Sequence, residues 1–275
     1  MSLPKLSIKD QMFSHAFSTS NWFKPTYFEW DFNNLHNDFI FFTDRNVSDV
    51  YDEKFKNYKK YAWLIESQAV TPESYDFVEK NYNLFDKIFT HSEQLLNKKN
   101  SFIAPIGGCH LEENEIGLHY IKNKLISMIY SNKQFADGHY IRHEIAKKYS
   151  HLIDIMGSGV DGVHVKKIKS CEDYMFSIVI ENFSNGFYFT EKIIDCFLSG
   201  VIPIYWGCPL INSFFDSNGI IKFNDLSELQ DIIKDKDKLF EFYNKNLKAI
   251  KNNFETAKQF KIGEDYLYNK YKHIL

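Results

Sequence analysis

The residues of this chain best suited to chemistry fall just past the ends of apolar runs. Residues 176–180 form a short, β-branched stretch of the length of a buried strand, and polar groups follow it at once: Glu181, Asn182, then a Ser184-Asn185-Gly186 turn. The pattern next predicts a helix. Thr190 is placed as its N-cap, Glu191 stands in the first turn where a carboxylate suits the helix dipole, and Ile193, Ile194, Phe197 and Leu198 share one apolar face. Gly200 is a C′ residue, and residues 201–206 form a second apolar strand that ends at Gly207. Lys192, beside the free N–H groups of that helix start, would suit a phosphate-bearing ligand. Spacing alone is met as simply by an ordinary capped helix with a charged first turn.

Two further residues have the right type in the right kind of place. Residues 61–65 read as a strand followed directly by Glu66-Ser67, and Thr71-Pro72 then opens a helix with Thr71 as N-cap and Pro72 at its first position. A carboxylate just beyond an apolar strand belongs to the rim where α/β domains hold catalytic groups, and Glu66 there is a candidate general base. Residues 124–130 form a strand running into Ser131-Asn132, and the helix after it, around 139–149, carries Arg142. A guanidinium offers a rigid fork to phosphate oxygens; one helical Arg taken alone reads more simply as a solvent-facing charge, and taken with Lys192 it reads better as one of two cations bracketing a diphosphate.

The elements that must hold these groups follow a βα rhythm. Strands are expected at 38–43, 61–65, 85–90, 101–106, 124–130, 151–156, 176–180, 201–206 and 220–223, with helices between several of them, and a long amphipathic helix from Leu239 through Tyr243, Ile250 and Ala257. The acidic break at 112–123 (Glu112, Glu113, Glu115) is placed as the crossing between two α/β domains, since 44% hydrophobic residues in 275 is ample for two cores. Residues 8–36 are crowded with aromatics without a period. Core packing is the simpler account of them, and a sugar-facing surface the sharper one.

Several other classes drop out. A net charge of -3 advertises no nucleic-acid surface, so any nucleotide must be held locally. No stretch approaches the length of a membrane span, and the start MSLPKLSIKDQMF lacks an apolar signal core. Cys109, Cys171, Cys196 and Cys208 are scattered and expected to be reduced. Cys109-His110 lacks companions at zinc spacing, and Gly157-Ser158-Gly159 has no Lys-Ser to make a Walker loop. Gly107-Gly108 reads as a turn, and Asp235-Lys236-Asp237 lies in an alternating charge run that suits a solvated helix end.

Glu181-Asn182, Tyr188-Phe189-Thr190-Glu191-Lys192 and Ile202-Pro203-Ile204-Tyr205-Trp206-Gly207-Cys208-Pro209 together resemble the C-terminal signature of the α1,3/4-fucosyltransferase family (glycosyltransferase family 10), over about 34 consecutive residues without a gap. Trp63-Leu64-Ile65-Glu66-Ser67 resembles the family element that carries the general base, and the Arg142 helix resembles the start of its nucleotide domain. The resemblance implies a GT-B-like α/β fold of two Rossmann-like domains facing a cleft. Residues 1–117 would form the acceptor and base domain, 118–250 the nucleotide-sugar domain, and 251–275 a helical segment packing back on the first. It further implies an inverting transfer of fucose from GDP-fucose to a glycan hydroxyl, with no metal or other cofactor. Glu66 would be the base and Arg142 and Lys192 would hold the diphosphate. Glu191 would accept hydrogen bonds from the ribose hydroxyls, and Asn182 and Tyr188 would line the donor pocket. The implied protein is of the soluble bacterial or viral type and cytoplasmic, with peripheral membrane association left open. Phe183 departs from the small Ser that the family usually has after the Asn, and the N-terminal half is short. Another nucleotide sugar as donor, or an inactive nucleotide-sugar-binding module, are the alternatives.

Overall fold

The computed structural model describes residues 2–11, 13, 16–119 and 121–274. Its strands form two sheets in which every pairing is parallel. The first contains β1 (Lys5–Lys9), β2 (Glu29–Asp31), β3 (Phe39–Thr43), β4 (Lys59–Trp63), β5 (Lys87–Thr90) and β6 (Ser101–Ile103), in the order β2-β1-β3-β4-β5-β6. Helices α1 (Pro72–Lys80) and α2 (Glu93–Leu96) belong to this half. The second sheet has β7 (Lys124–Ile129), β8 (Asp154–Met156), β9 (Tyr174–Ile180), β10 (Ile202–Trp206) and β11 (Ile221–Lys222), in the order β11-β10-β9-β7-β8. Helices α3 (Asp137–Tyr149), α4 (Ser158–Asp161), α5 (Glu191–Phe197) and α6 (Leu226–Lys234) accompany it, and α7 (Lys236–Lys245), α8 (Leu247–Ala257) and α9 (Gly263–Tyr271) end the chain.

Parallel strands covered on both faces must be apolar on both, and these are. All five residues of β3 are buried: Phe39 and Phe41 join Tyr61, Trp63 and Phe89 on one face, while Ile40 and Phe42 join Ala62, Leu64 and Val78 on the other. The second sheet replaces aromatics with branched aliphatics. Ile126, Ile178, Ile180, Ile202 and Ile204 pack against Ile145, Leu229 and Ile233. On its opposite face Val179 and Tyr205 meet Ile193, Ile194 and Phe197 of α5. At the end of α5, Gly200 (φ +70°) donates to Phe197 O at 3.2 Å and Val201 to Cys196 O at 2.9 Å, the paired bonds of a Schellman closure.

The last helix belongs physically to the first sheet. Leu267 and Tyr271 of α9 are buried in the cluster with Leu6, Phe13, Phe28 and Trp63, each worth about 2 kcal/mol by area. Tyr271 also donates to Ile103 O at 2.6 Å, and Tyr268 stacks on Tyr27 at 4.6 Å. Glu264, with no exposed surface, accepts the amide and hydroxyl of Thr19 (3.0 and 2.8 Å) and the indole N–H of Trp30 (3.1 Å).

Three expectations are corrected. The aromatic stretch begins at the end of β1 and hides β2; β2 is the edge of the sheet, β1 lies between it and β3, and both carry too few residues for a period to emerge. The long amphipathic helix is broken at Asn246, whose amide closes on Phe242 and Tyr243; apolar spacing carries on across the break, so periodicity could not reveal it. Gly107-Gly108 is a close crossing of chains rather than a free turn. Both glycines have positive φ (+60° and +93°), a Cβ on Gly107 would lie 2.5 Å from Phe260 O, and Gly107 bridges to Thr190 of the second half.

Candidate active site

The C-terminal ends of both sheets open onto one cavity of about 600 Å³. Glu66 reaches it from the end of β4, Ile106 and Gly107 from beyond β6, Tyr130 and Ser131 from beyond β7, Gly157 and Ser158 from beyond β8, and Asn182 from beyond β9. This is where ligands enter open α/β sheets, and here two such rims face each other. Glu66, Arg142, Asn182, Tyr188, Glu191 and Lys192, expected from sequence to share a site, all line this cavity.

On the second half, Glu181 organises the wall. It is fully buried, and its carboxylate accepts the Thr190 amide at 3.0 Å and hydroxyl at 2.7 Å, closing the loop 182–189 back onto β9. Lys192 Nζ lies 2.9 Å from Thr190 Oγ1, 3.3 Å from Glu191 Oε1 and 3.4 Å from Glu181 Oε2. Burial pulls the Lys192 pKa down, but Glu191 and Glu181 outweigh that and hold it above the ordinary lysine value.

Arg142 is nearly buried. Its Nε donates to Gly138 O at 2.8 Å and its Nη2 to Asn182 Oδ1 at 2.8 Å, so the guanidinium is set before any ligand arrives. Gly138 is what lets α3 come so close: a Cβ there would lie 1.7 Å from Glu181 O, and the Gly138 amide donates to Asn182 O at 3.2 Å. Tyr188 is 1% exposed, and burial holds its phenol protonated.

The cavity wall carries Lys133, Arg142, Lys167 and Lys192 against the carboxylates of Glu66 and Glu191. Those carboxylates differ. Burial alone would raise the Glu191 pKa, but Lys192, His110 and Lys167 and a Thr190 hydrogen bond drive it far below the usual carboxylate range. His110 Nδ1 is 3.8 Å from Glu191 Oε1. Burial raises Glu66 instead, with Glu191 adding to the rise and Lys192 and Lys133 opposing it. An excess of cations in a partly enclosed cavity suits a polyanion, and a carboxylate of raised pKa opposite them suits proton abstraction.

Reasoning from sequence overlooked four participants. Glu181 stands at a strand end and in the family signature without an assigned role, yet it ties the loop together. His110 was weighed for a metal and set aside; it faces Glu191. Lys167 follows no strand, so no signal marked it. Asp44 could have been found by the rule that found Glu66, because it directly follows β3. It is fully buried, has φ +38°, and its carboxyl accepts the amides of Ile65 at 2.9 Å and Glu66 at 3.1 Å. Among the described residues no group of three or more His, Cys, Asp and Glu side chains comes together in a way that could hold a metal ion, and no helix is long and apolar enough to cross a membrane.

Comparison with known proteins adds to this geometry. Residues 120–271, just over half of the chain, match the family described as glycosyltransferase family 10 (fucosyltransferase), C-terminal part. A stretch of 73 residues is 36% identical to the alpha-(1,3)-fucosyltransferase FucT of Helicobacter pylori, which is 26% of this chain and 15% of that protein's length. Among solved structures, an alpha1,3-fucosyltransferase with GDP-fucose aligns at a TM-score of 0.60 and 18% identity, over 95% of this chain and 91% of that one. An alpha1,3-fucosyltransferase structure described without a ligand aligns at 0.58 and 19%, over 94% and 90%. At such identity the structural likeness speaks for the fold, which is the expected GT-B arrangement of two α/β halves across a cleft.

Proposed function

This chain belongs to glycosyltransferase family 10, the fucosyltransferases, and from that premise we propose that it moves fucose from GDP-fucose to a hydroxyl of a glycan acceptor, with inversion at the sugar carbon. The observation that carries the reading is the pairing across the cavity: one carboxylate of raised pKa from the first half, two fixed cations from the second.

In this reaction Glu66 takes the proton of the acceptor hydroxyl while that oxygen bonds to the anomeric carbon from the face opposite the diphosphate. The bond from that carbon to the phosphate oxygen breaks, and its electron pair leaves with GDP. Arg142 and Lys192 receive the charge that builds on the departing phosphate. Both are already held by protein partners, so little reorganisation is needed as the charge develops. Glu191, kept ionised, is suited to accept from the ribose hydroxyls, and Asn182 and Tyr188 border the same space. On this proposal residues 1–117 bring the acceptor and base, 118–250 hold the nucleotide sugar, and 251–275 brace the first half.

Because protein cations supply the countercharge, the reaction is proposed to need no metal. The four free, buried cysteines suit a reducing compartment, which supports a cytoplasmic location. Incubation with GDP-fucose and a panel of glycan acceptors in EDTA should release GDP and yield an α-linked fucoside. Strict dependence on added manganese would remove the metal-free step. Calorimetry against GDP-fucose and other nucleotide sugars tests the donor, with the tightest binding expected for GDP-fucose.

A further inference from the structure

We propose that Asp44 and Tyr75 are positioning residues for the Glu66 base, holding its main chain from opposite ends so that the carboxylate meets the acceptor at a fixed place. The inference rests on the reading of Glu66 given above and adds residues from two other elements to it.

Glu66 lies beyond the end of β4, outside the sheet ladder, where a loop residue would ordinarily have the freedom of its neighbours. Its amide and carbonyl are both taken. The Asp44 carboxyl, from the adjacent strand end, accepts the amides of Ile65 (2.9 Å) and Glu66 (3.1 Å) together. Tyr75, from α1, donates its hydroxyl proton to Glu66 O at 2.5 Å. With that proton spent, the Tyr75 oxygen accepts from Nε2 of His91 at 2.9 Å, so the donors run in one direction from imidazole to phenol to peptide. His91 is buried and held neutral by that burial, with a pKa pushed down to about 4. Its ring packs 4.7 Å from that of Tyr188, which lines the donor side of the cavity. The chain of contacts therefore runs from the base to the opposite half of the site.

Two features set this apart from ordinary loop packing. Asp44 holds φ +38°, a left-handed conformation that side-chain-bearing residues seldom adopt and that Asn and Asp tolerate best. Its carboxyl has also been taken wholly out of water in order to receive main-chain N–H groups, and burial pushes its pKa up to about 8. Both are costly arrangements for a surface loop, and both act on the one peptide segment that carries Glu66.

The test uses the full chain with Asp44→Ala, Asp44→Asn, Tyr75→Phe and Glu66→Gln in parallel. It measures kcat, donor KM and GDP affinity by calorimetry. Asp44→Ala should lower kcat by on the order of 100-fold and Tyr75→Phe by about tenfold, with GDP affinity within about threefold of the parent, because the donor half is untouched. Asp44→Asn keeps an oxygen acceptor and tolerates the left-handed backbone, so it should recover most of the activity lost in Asp44→Ala. Parental kcat in both Asp44→Ala and Tyr75→Phe, while Glu66→Gln is inactive, would overturn the positioning role and leave the base standing. Full activity in Glu66→Gln would instead overturn the assignment of the base itself. Loss of GDP binding in step with kcat in both Asp44→Ala and Tyr75→Phe, with no recovery in Asp44→Asn, would also overturn the positioning role, since it marks a general structural defect.

Discussion

The two halves of the cleft each present a glutamate to the same cavity, and their surroundings drive them in opposite directions. Glu66 stands on a half whose core is aromatic, and burial raises its pKa. Glu191 stands within 3.3 Å of Lys192 and 3.8 Å of His110, and its pKa falls far below the usual range. Residue type is the same in both places. Lys192 acts on both, but of the two it touches only Glu191, while at Glu66 burial outweighs it; that suits one to the proposed role of proton acceptor and the other to that of a permanent anion. The first half holds its glutamate by main-chain bonds from Asp44 and Tyr75, leaving the carboxylate to titrate; the second holds its own by charge.

The harshest way to break this contrast is Glu66→Gln. Activity should fall by about 10²–10⁴-fold while GDP affinity stays near that of the parent, measured by acceptor turnover and calorimetry. Equal losses of turnover and GDP binding would mean that both glutamates serve the donor. Next comes the coupling between halves. Lys192→Ala should reduce kcat/KM by about 100-fold, and it should also move the acidic limb of the rate profile to higher pH, because Lys192 now favours ionised Glu66. Glu191→Gln removes an anion that disfavours ionised Glu66, so the same limb should move to lower pH. A kcat/KM profile of each variant reads the sign directly, and two shifts in one direction would end the comparison. The smallest effect concerns the frame. Gly138→Ala places a methyl 1.7 Å from Glu181 O, which should cost about 2 kcal/mol of stability in urea unfolding and weaken GDP binding as α3 carries Arg142 outward.

The same contrast governs what could be read from the chain. The second half was legible in detail because its strands are aliphatic runs ending in polar residues, and Thr190 and Gly200 bound α5 with side chains and backbone that do what their types favour. Glu66 and Lys192 stand at a strand end and a helix start, which have sequence markers, whereas Arg142 lies inside α3 and is singled out by the family resemblance rather than by its position. The first half resisted. β2 is an edge strand of three residues and β1, of five, lies between it and β3, and the aromatics around them serve the core without a period. Asp44, Tyr75 and His91 come from three separate elements and meet only because β3, β4 and β5 lie side by side. Such a meeting is a property of topology, and spacing along the chain holds no record of it. The helix break at Asn246 escaped for the opposite reason, since spacing persisted where the backbone did not.

The anchoring of α9 on the first sheet has a consequence for biosynthesis. Leu267 and Tyr271 complete the cluster that contains Leu6 and Trp63, and Glu264 supplies the acceptor for Thr19 and Trp30. A ribosome making about 5–20 residues per second needs roughly 10–30 s to travel from Ile103 to Gly263. Throughout that interval the first lobe waits without α9, the segment whose Leu267 and Tyr271 fill its groove. The first sheet, made before the second, is thus completed only after it, once α9 has been synthesised.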